Sequence, residues 1–405
     1  MQRIQLTYKF RLYPKKEHEE RLLETLELCR QTYNYFLSQW DGEAKIPSRL
    51  GLQAKLPKLK VEKPELNKVY SKVLQMVLYQ LYSNLKALSQ LKKNGKKVGR
   101  LRFKGKGWCK TFVYNQSGFK LTKTGKRLDL LHLSKIGDIP IRVHREVEGK
   151  IKQVIIKKHS SGKWFAHVCV EKEGKVVGRK PKKVIGIDVG LNCFLTDSDG
   201  RQIENPKFYQ KTLERIKVLQ HWLSKKKKKG SGNHEKQRIK IAKVYEKLVN
   251  QRNDFLHKLS RFYVNNYDVI CVEDLPIQNM VRNRNLAQKI LDASWGKFFQ
   301  LLECKAESAG VRVVKVNPRG TSEGLTYENP YRDWISANRI LMRGWSSPDS
   351  PAEMKPLLVE IPASLIIEAG SPQAYSRGQL TAQGTVTSKN YWADVNGFPQ
   401  VILSD

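Results

Sequence analysis

The sequence lacks the cysteine patterns that would mark a zinc ribbon or a disulfide scaffold. No two of its cysteines stand at CxxC spacing, which argues against both. We interpret them as small buried hydrophobes in a reducing compartment, and we expect no zinc. The cysteines are Cys29, Cys109, Cys169, Cys193, Cys271 and Cys304.

Long apolar runs are also missing. No stretch approaches the roughly 20 apolar residues that a membrane span needs. The opening segment, MQRIQLTYKFRLYPKK, has no apolar core of the kind found in signal peptides. The sequence therefore predicts a cytoplasmic protein of a prokaryote with no membrane partner.

Acidic residues are scarce. The chain has 75 Lys and Arg against 38 Asp and Glu, a net charge of +37. A field this strong favours a polyanionic partner, and nucleic acid is the best match. A membrane surface is the alternative, but no amphipathic terminal helix or lipidation motif supports it. We therefore expect an association with the nucleoid.

The positive charge is concentrated before residue 346. Residues 1–345 hold 72 basic and 32 acidic residues, a net charge of +40, whereas residues 346–405 hold three basic and six acidic ones. The last 60 residues also show weak periodicity and many Ser, Pro, Gly and Ala. The sequence predicts a nucleic-acid-binding surface before residue 346 and an acidic, poorly ordered tail after it.

The pattern of apolar residues in segment 1–178 predicts a β-barrel or sheet with a helical insertion at about 16–110. IQLTYKFRLYP alternates like a half-buried strand, and the following residues switch to helical spacing. A loop rich in Pro and Lys is predicted near 46–64, and a second helix from about 66 to 93. Residues 112–178 then read as short strands separated by Gly-bearing turns.

Residues 179–345 predict a mixed α/β sheet with a helical-hairpin insertion. KKVIGIDVG and YDVICVEDL have the pattern of buried strands, and CFLTDSDGRQI predicts a hairpin that turns at Asp199-Gly200. A long helical pair separates them. A helix at 291–309, the strand VRVVKV and the helix DWISANRILMRG complete the segment.

Three acids occupy unusual positions in this basic chain. Asp188 interrupts the apolar run VIGI-D-V, Glu273 ends VICV-E, and Asp333 opens the last helix. Carboxylates on neighbouring strands and one helix are suited to Mg²⁺ or Mn²⁺, and can hold two ions roughly 4 Å apart for phosphodiester hydrolysis. Each acid alone is equally explained as a cap or a salt-bridge partner. GIDVG also fits the first phosphate loop of an actin-like ATPase, although no convincing second Gly-rich loop is present.

The motifs VIGIDVGL, VEDL, VNPRGTS and RDW…A..IL, in this order, resemble the RuvC-type nuclease domain of the transposon-encoded TnpB (OrfB) family. KFRLYPKKEHEERLLETLELCRQTYNYFL and RFKGKGWCKTFVYNQSGFKL are similar to that family's earlier segments. The resemblance covers roughly residues 5–345. It implies an RNase H-like (RuvC) nuclease domain preceded by a β-barrel-like, wedge-like domain with a helical recognition insertion.

The resemblance further implies an RNA-guided DNA endonuclease, related to type V CRISPR effectors, that pairs a guide RNA with target double-stranded DNA beside a short flanking motif. Asp188, Glu273 and Asp333 match the family's three metal-binding acids. Two departures stand out. Only EGLTYENPYR separates Ser322 from Asp333, where the family usually has a four-cysteine zinc ribbon, and Ile335 replaces a usual Asn. An RNA-guided DNA-binding protein or transposition regulator with weak or no cleavage is therefore the alternative.

Basic residues predict where nucleic acid binds. The best patch interleaves cations with rings, which suits phosphate contact and base stacking; its alternative is a basic loop with buried aromatics. The patch comprises Arg100, Arg102, Lys104, Lys106, Trp108 and Lys110. Lys225, Lys226 and Lys227 begin a lysine run at a helix end, which we interpret as a contact with the backbone of a guide–target duplex; a solvated helix face is the alternative. Lys72 and Gln75 lie where the resemblance implies that the flanking motif is read.

Overall fold

The computed structural model divides into two compact units, residues 1–174 and 175–405. Within the described part of the chain, no helix is both long and apolar enough to cross a membrane. The predicted tail from residue 347 onward and Lys227 lie outside the described residues. The structure describes residues 2–40, 48–174, 182–226, 230–326 and 328–346.

The first unit is built on a seven-stranded sheet with the order β2-β6-β7-β1-β5-β4-β3. The long strands β1 and β7 pair antiparallel over their whole length. Because β2 ends at Asn115 and β3 begins at Phe119, the two edge strands of the sheet are joined by only three residues, so the sheet curls into a nearly closed barrel. The strands are β1 Gln2–Leu12, β2 Thr111–Asn115, β3 Phe119–Thr122, β4 Asp129–Leu133, β5 Gly137–Arg142, β6 Lys150–Lys158 and β7 Trp164–Gly174.

Alternation along β1 places its two sets of side chains on opposite faces. Phe10 and Leu12 are fully buried, and so are Ala166 and Val168 on β7. The hydroxyl of Tyr114 on the edge strand β2 donates to the carbonyl of Ser134, the residue after β4, at 2.7 Å, which links the edge strand β2 to the opposite side of the sheet. The barrel-like domain expected for this segment is thus present in the fold.

The helical insertion stands between β1 and β2. Its helices are α1 Lys16–Ser38, α2 Arg49–Ala54, α3 Leu56–Glu62, the 3-10 helix Pro64–Lys68 and α4 Ser71–Lys93. The predicted loop at 46–64 is wrong for 49–62, because Leu52, Leu56 and Leu59 bury one face of two short helices. The second predicted helix begins at Ser71 rather than 66, since Pro64 starts a separate 3-10 turn.

The second unit has a five-stranded sheet with the order β10-β9-β8-β11-β12. The pairs β8–β11 and β11–β12 are parallel, whereas β8–β9 and β9–β10 are antiparallel. Every residue of β11 is buried, as expected for a parallel strand covered on both faces. The strands are β8 Val184–Val189, β9 Cys193–Asp197, β10 Gln202–Glu204, β11 Val269–Glu273 and β12 Arg312–Val316.

The predicted helical hairpin follows β10. The helices of this unit are α5 Phe208–Ser224, α6 Gly232–Asn266, α7 Ile277–Met280, α8 Arg284–Ala293, α9 Trp295–Ala309 and α10 Arg332–Trp345. The single helix predicted at 291–309 is wrong at its start. Ser294 has a positive φ of 60°, which ends α8 and lets α9 begin in a new direction.

Helix α10 packs directly on β8 and β11 through two glycines. A Cβ on Gly186 of β8 would lie 2.1 Å from the Ala337 carbonyl oxygen, and one on Gly344 of α10 would lie 2.3 Å from the Cys271 Sγ. Only the absence of side chains at these positions allows such a close approach. The two strands that carry predicted catalytic acids are therefore held by one helix.

The cysteines only partly match the prediction that they are buried hydrophobes. Cys29 and Cys271 are buried, three others are half-buried, and Cys304 is exposed. Cys304 lies on the outer side of α9, so the prediction is wrong for this residue.

Candidate active site

Asp188 and Glu273 lie side by side at the carboxyl ends of neighbouring parallel strands. Ile187 of β8 is in register with Val272 of β11, so the residues that follow them are neighbours too. Side chains two residues apart on a strand share a face. Asp188 thus shares the face of Gly186, and Glu273 shares the face of Cys271. Gly186 and Cys271 both lie against α10.

Asp333 lies in the first turn of α10, the helix that covers this face. The neighbouring Arg332 approaches the Asp333 carboxylate at 3.7 Å. The helix is anchored beside the site, because the Trp334 indole N–H donates to the Ser198 carbonyl at 3.0 Å. The three predicted acids therefore meet in one region of the second unit.

Burial raises the pKa of both Asp188 and Glu273, and the charges of neighbouring acids add to the effect at Asp188. Burial, followed by the charges of Glu273 and Asp333, raises the pKa of Asp188 to about 8, against the opposing effect of Arg332. Burial also raises the pKa of Glu273, although a hydrogen bond from Thr321 and the charge of Arg343 oppose that shift. Clustered acids that resist ionisation are typical of functional sites, where a cation relieves the repulsion.

The Glu273 carboxylate is held by the loop that follows β12. Thr321 Oγ1 donates to Glu273 Oε1 at 2.5 Å, and both residues are buried. The loop itself is fixed to α10, since Arg339 Nη1 donates to the Glu323 carbonyl at 2.7 Å and Arg343 Nη1 to the Arg319 carbonyl at 2.5 Å. The position of Glu273 therefore depends on α10 through this loop.

A cavity of about 850 Å³ opens at the site. Its wall contains all three acids, and it also contains basic side chains from α8, α10 and the segment before α5. The mixture of a carboxylate cluster with surrounding cations suits a phosphate-bearing ligand. The charged residues of the wall are Asp188, Glu273, Asp292, Asp333, Lys207, Lys289 and Arg332.

The donor set fits a divalent cation, but not as a compact preformed cage. Carboxylate oxygens are the ligands that Mg²⁺ and Mn²⁺ prefer, and the raised pKa of Asp188 reports uncompensated negative charge. Among the described residues, no group of three His, Cys, Asp or Glu side chains is close enough to hold a metal ion as arranged.

The predicted basic patch lies in a loop between α4 and β2 that is fixed to α1. The Lys104 backbone N–H donates to Asn34 Oδ1 at 2.8 Å, and Asn34 Nδ2 donates to the Lys104 carbonyl at 2.9 Å. Arg30 Nη1 also donates to the Lys104 carbonyl at 2.9 Å. Phe103 and Trp108 are 63% and 72% exposed, so the alternative of buried aromatics does not hold for them.

The members of this patch are not equivalent. Arg100, Arg102, Lys106 and Lys110 are exposed. Lys104 instead places its ammonium 3.6 Å from the ring centroid of Tyr33, and therefore contributes to the anchoring of the loop.

The other predicted binding residues lie on separate helices. Lys72 and Gln75 are half-buried in the first turns of α4. Lys225 and Lys226 are exposed just after α5, and the Lys225 ammonium lies 5.5 Å from the ring of Trp222. These positions are compatible with binding but do not test it.

A second group of cations lies beside a ring and was not predicted from the sequence. On the outward face of the first sheet, the Phe165 ring lies 4.3 Å from the Lys9 ammonium and 5.2 Å from the Arg11 guanidinium. The alternation KFRL indicated that Lys9 and Arg11 face away from Phe10, but only the β1–β7 pairing shows that Phe165 lies opposite Arg11. Thr321 lies in the motif VNPRGTS, but the sequence did not indicate its contact with Glu273.

The fold and site thus define an α/β protein with a carboxylate-lined cavity at the ends of two parallel strands. Family models match three segments: "Probable transposase" at 167–284, "Helix-turn-helix domain" at 1–45, and "Cas12f1-like, TNB domain" at 295–330. Residues 2–40 form one strand and one long helix rather than a helix-turn-helix.

Two relatives match most of this chain. A putative RNA-guided DNA endonuclease of Streptomyces pristinaespiralis is 30% identical over 78% of each chain. The putative RNA-guided DNA endonuclease InsQ of Escherichia coli is 30% identical over 81% of this chain and 84% of its own. A solved Cas12f1–sgRNA–target DNA complex shares 12% identity at a TM-score of 0.47, covering 84% of this chain and 98% of that one. The chain belongs to the TnpB (OrfB) family.

Proposed function

We propose that this protein is a transposon-encoded, RNA-guided DNA endonuclease whose second unit is an RNase H-like (RuvC) nuclease domain that uses Mg²⁺ or Mn²⁺. The observation that carries the proposal is the meeting of Asp188, Glu273 and Asp333 at one cavity. The order β10-β9-β8-β11-β12, with an antiparallel hairpin next to parallel strands, supports the RNase H-like assignment. The names of its relatives support the guided endonuclease activity.

Asp188, Glu273 and Asp333 are the residues that would hold the metal. When bound, divalent ions in such a site activate a water molecule and stabilise the leaving oxygen of a phosphodiester. Burial and the charges of Glu273 and Asp333 raise the pKa of Asp188 to about 8, so a bound cation would favour its ionised, ligating form. Arg332, Lys207 and Lys289 line the same cavity and would attract and orient the DNA backbone.

The first unit would bind the guide RNA and its duplex with DNA. The loop with Arg100, Arg102 and Lys106 offers exposed cations, and Trp108 offers an exposed ring. Proteins that bind nucleic acid without reading its sequence combine these two features. Base pairing would then supply the sequence specificity, as in other guided nucleases.

A specific observation supports a second candidate. The described residues contain no compact three-ligand metal group, and the ten residues between Ser322 and Asp333 include no cysteine. An RNA-guided DNA-binding protein or transposition regulator that cuts weakly or not at all would show both features.

A cleavage assay separates the two candidates. The full chain, purified with its co-purifying RNA, is incubated with plasmids that carry a guide-matched target beside randomised flanking positions, with Mg²⁺ or with EDTA. We expect Mg²⁺-dependent cutting, and we expect Asp188→Ala to abolish cutting while retaining RNA. Tight RNA binding and target binding without any cutting by the wild-type protein would favour the second candidate. Cutting that survives Asp188→Ala would refute the site assignment.

A further inference from the structure

Glu273 is restrained by a single hydroxyl group. Its side chain is 8% exposed, and its Oε1 accepts a hydrogen bond from the Oγ1 of Thr321, which is itself 3% exposed. Among the described residues, no second hydrogen bond to this carboxylate is found. Oε2 is therefore left available, while the burial of the Thr321 contact excludes water that would compete for Oε1.

The Thr321 hydroxyl has one proton and two nearby acceptors. Its Oγ1 lies 2.5 Å from Glu273 Oε1 and 3.0 Å from the Pro318 carbonyl oxygen. Charge-assisted O–H···O⁻ bonds are shorter and stronger than those to neutral carbonyls. The hydroxyl therefore donates to the carboxylate when Glu273 is ionised, which is the form that ligates a metal.

The backbone that carries Thr321 is fixed from α10. Arg339 Nη1 donates to the Thr321 carbonyl at 3.3 Å and to the Glu323 carbonyl at 2.7 Å. Arg343, one turn later, donates to the Asn317 carbonyl at 3.3 Å. Helix α10, whose first turn contains Asp333, thus also immobilises the loop whose hydroxyl orients Glu273.

We propose that Thr321 is a positioning residue that holds Glu273 as a one-oxygen ligand facing the cavity, with Arg339 fixing the loop. This inference rests on the proposed function, because it assumes that Glu273 binds a divalent cation. Groups that orient a ligand commonly contribute 10–100-fold to metal affinity. Loss of the hydroxyl should therefore weaken metal binding without preventing folding or RNA binding.

The test measures Mn²⁺ binding by isothermal titration to the full chain with its co-purified RNA. The Asp188→Ala variant with the same RNA defines the Mn²⁺ that binds outside the site. We expect Thr321→Val, which preserves shape and removes the hydroxyl, to weaken the Asp188-dependent binding roughly 10–100-fold. Thr321→Ser, which retains the hydroxyl, should stay within about threefold of the wild type. The Mg²⁺ concentration for half-maximal cutting should rise in parallel for the valine variant.

Thr32→Val is the matched control, since Thr32 is a buried threonine in the first unit whose hydroxyl bonds the Leu28 carbonyl. It should not change Mn²⁺ binding. Wild-type affinity in a folded Thr321→Val protein, or equal losses for valine and serine, would overturn the inference. If Thr321→Val does not fold, Arg339→Gln tests the same contacts: weakened Mn²⁺ binding supports the inference and unchanged binding overturns it. A wild-type protein that neither binds Mn²⁺ at Asp188 nor cuts DNA contradicts the proposed function instead.

Discussion

Replacing Asp188 with Asn should stabilise the metal-free protein. Burial and the charges of Glu273 and Asp333 raise the pKa of Asp188 from 3.8 to about 8. In the unfolded chain the carboxyl loses its proton near pH 4, whereas in the folded protein it retains it until about pH 8. The folded state of the wild-type protein therefore loses stability as the pH rises between these values. An asparagine amide does not ionise and avoids this loss.

The size of the effect follows from the difference between the two pKa values. One pKa unit corresponds to about 1.4 kcal/mol. At pH 7 the solution is about three pH units above the unfolded-state pKa, so the free energy of unfolding of the wild-type protein is lowered by at most about 4 kcal/mol. At pH 5 the corresponding limit is about 2 kcal/mol. Because Asp188 titrates together with neighbouring carboxyls, part of the shift belongs to them, and we expect roughly half of each limit.

The assay is urea unfolding in EDTA at several values from pH 5 to pH 9. Hydrogen exchange of peptides that cover β8 and β11 reports on the second unit separately. The gain should increase from pH 5 to about pH 8 and then level off, because Asp188 is ionised in both states above that pH. It should disappear or reverse with saturating Mn²⁺, because the cation stabilises only the wild-type carboxylate. Asp274→Asn, at the exposed neighbouring acid, should change stability by less than about 0.5 kcal/mol. A variant that is no more stable than the wild type at pH 7, or a gain independent of pH, would show that the folded protein does not raise the pKa of Asp188.

Three further predictions concern packing, a buried polar network and the basic loop. Gly186→Ala should destabilise the second unit by about 1–3 kcal/mol or more in urea unfolding, because its Cβ would lie 2.1 Å from the Ala337 carbonyl oxygen. Tyr263→Phe should cost about 1.5–3 kcal/mol in the same assay, since the hydroxyl donates to the fully buried Asp197 at 2.9 Å. Trp108→Ala should weaken RNA binding in a filter assay by about 1–3 kcal/mol if one base stacks on the exposed ring.

Each of these changes has a matched control. Gly232→Ala in α6 has open space around the new Cβ and should be tolerated. Tyr245→Phe removes a hydroxyl whose contact with Gln220 is long, at 3.4 Å, and should cost little. Trp108→Phe keeps a ring and should retain most of the RNA affinity. Equal effects of a test variant and its control would contradict the stated cause.

The central strands β8 and β11 of the second unit were predictable because their residues are apolar on both faces. VIGI and VICV correspond to the buried strands β8 and β11, and the hairpin turn falls at Gly200 with a positive φ of 87°. Their order in the sheet was not predictable from the residues alone. It depends on pairing between β8 and β11, which are separated by the whole helical hairpin.

The errors have local physical causes. At 49–62 the abundance of Pro and Lys suggested a loop, but Pro57 lies at the start of α3, where a missing N–H costs nothing. At Ser294 a single left-handed residue divides two helices, and serine gives no strong signal for that conformation. Both errors arise where tertiary burial of leucine and tryptophan faces overrides weak local preference.

The three acids of the candidate site could be predicted from the sequence, but the contacts that hold them together could not. Periodicity marks Asp188 and Glu273 as strand ends, and nothing in it links them to Asp333. The link is α10, which approaches β8 at Gly186 and holds the Thr321 loop through its arginines. A change that displaces this helix must therefore move Asp333 and disturb the orientation of Glu273 together. Because the site needs both strands, the loop and the helix, a single acid in the sequence does not identify it. The strand, loop and helix motifs in this order do.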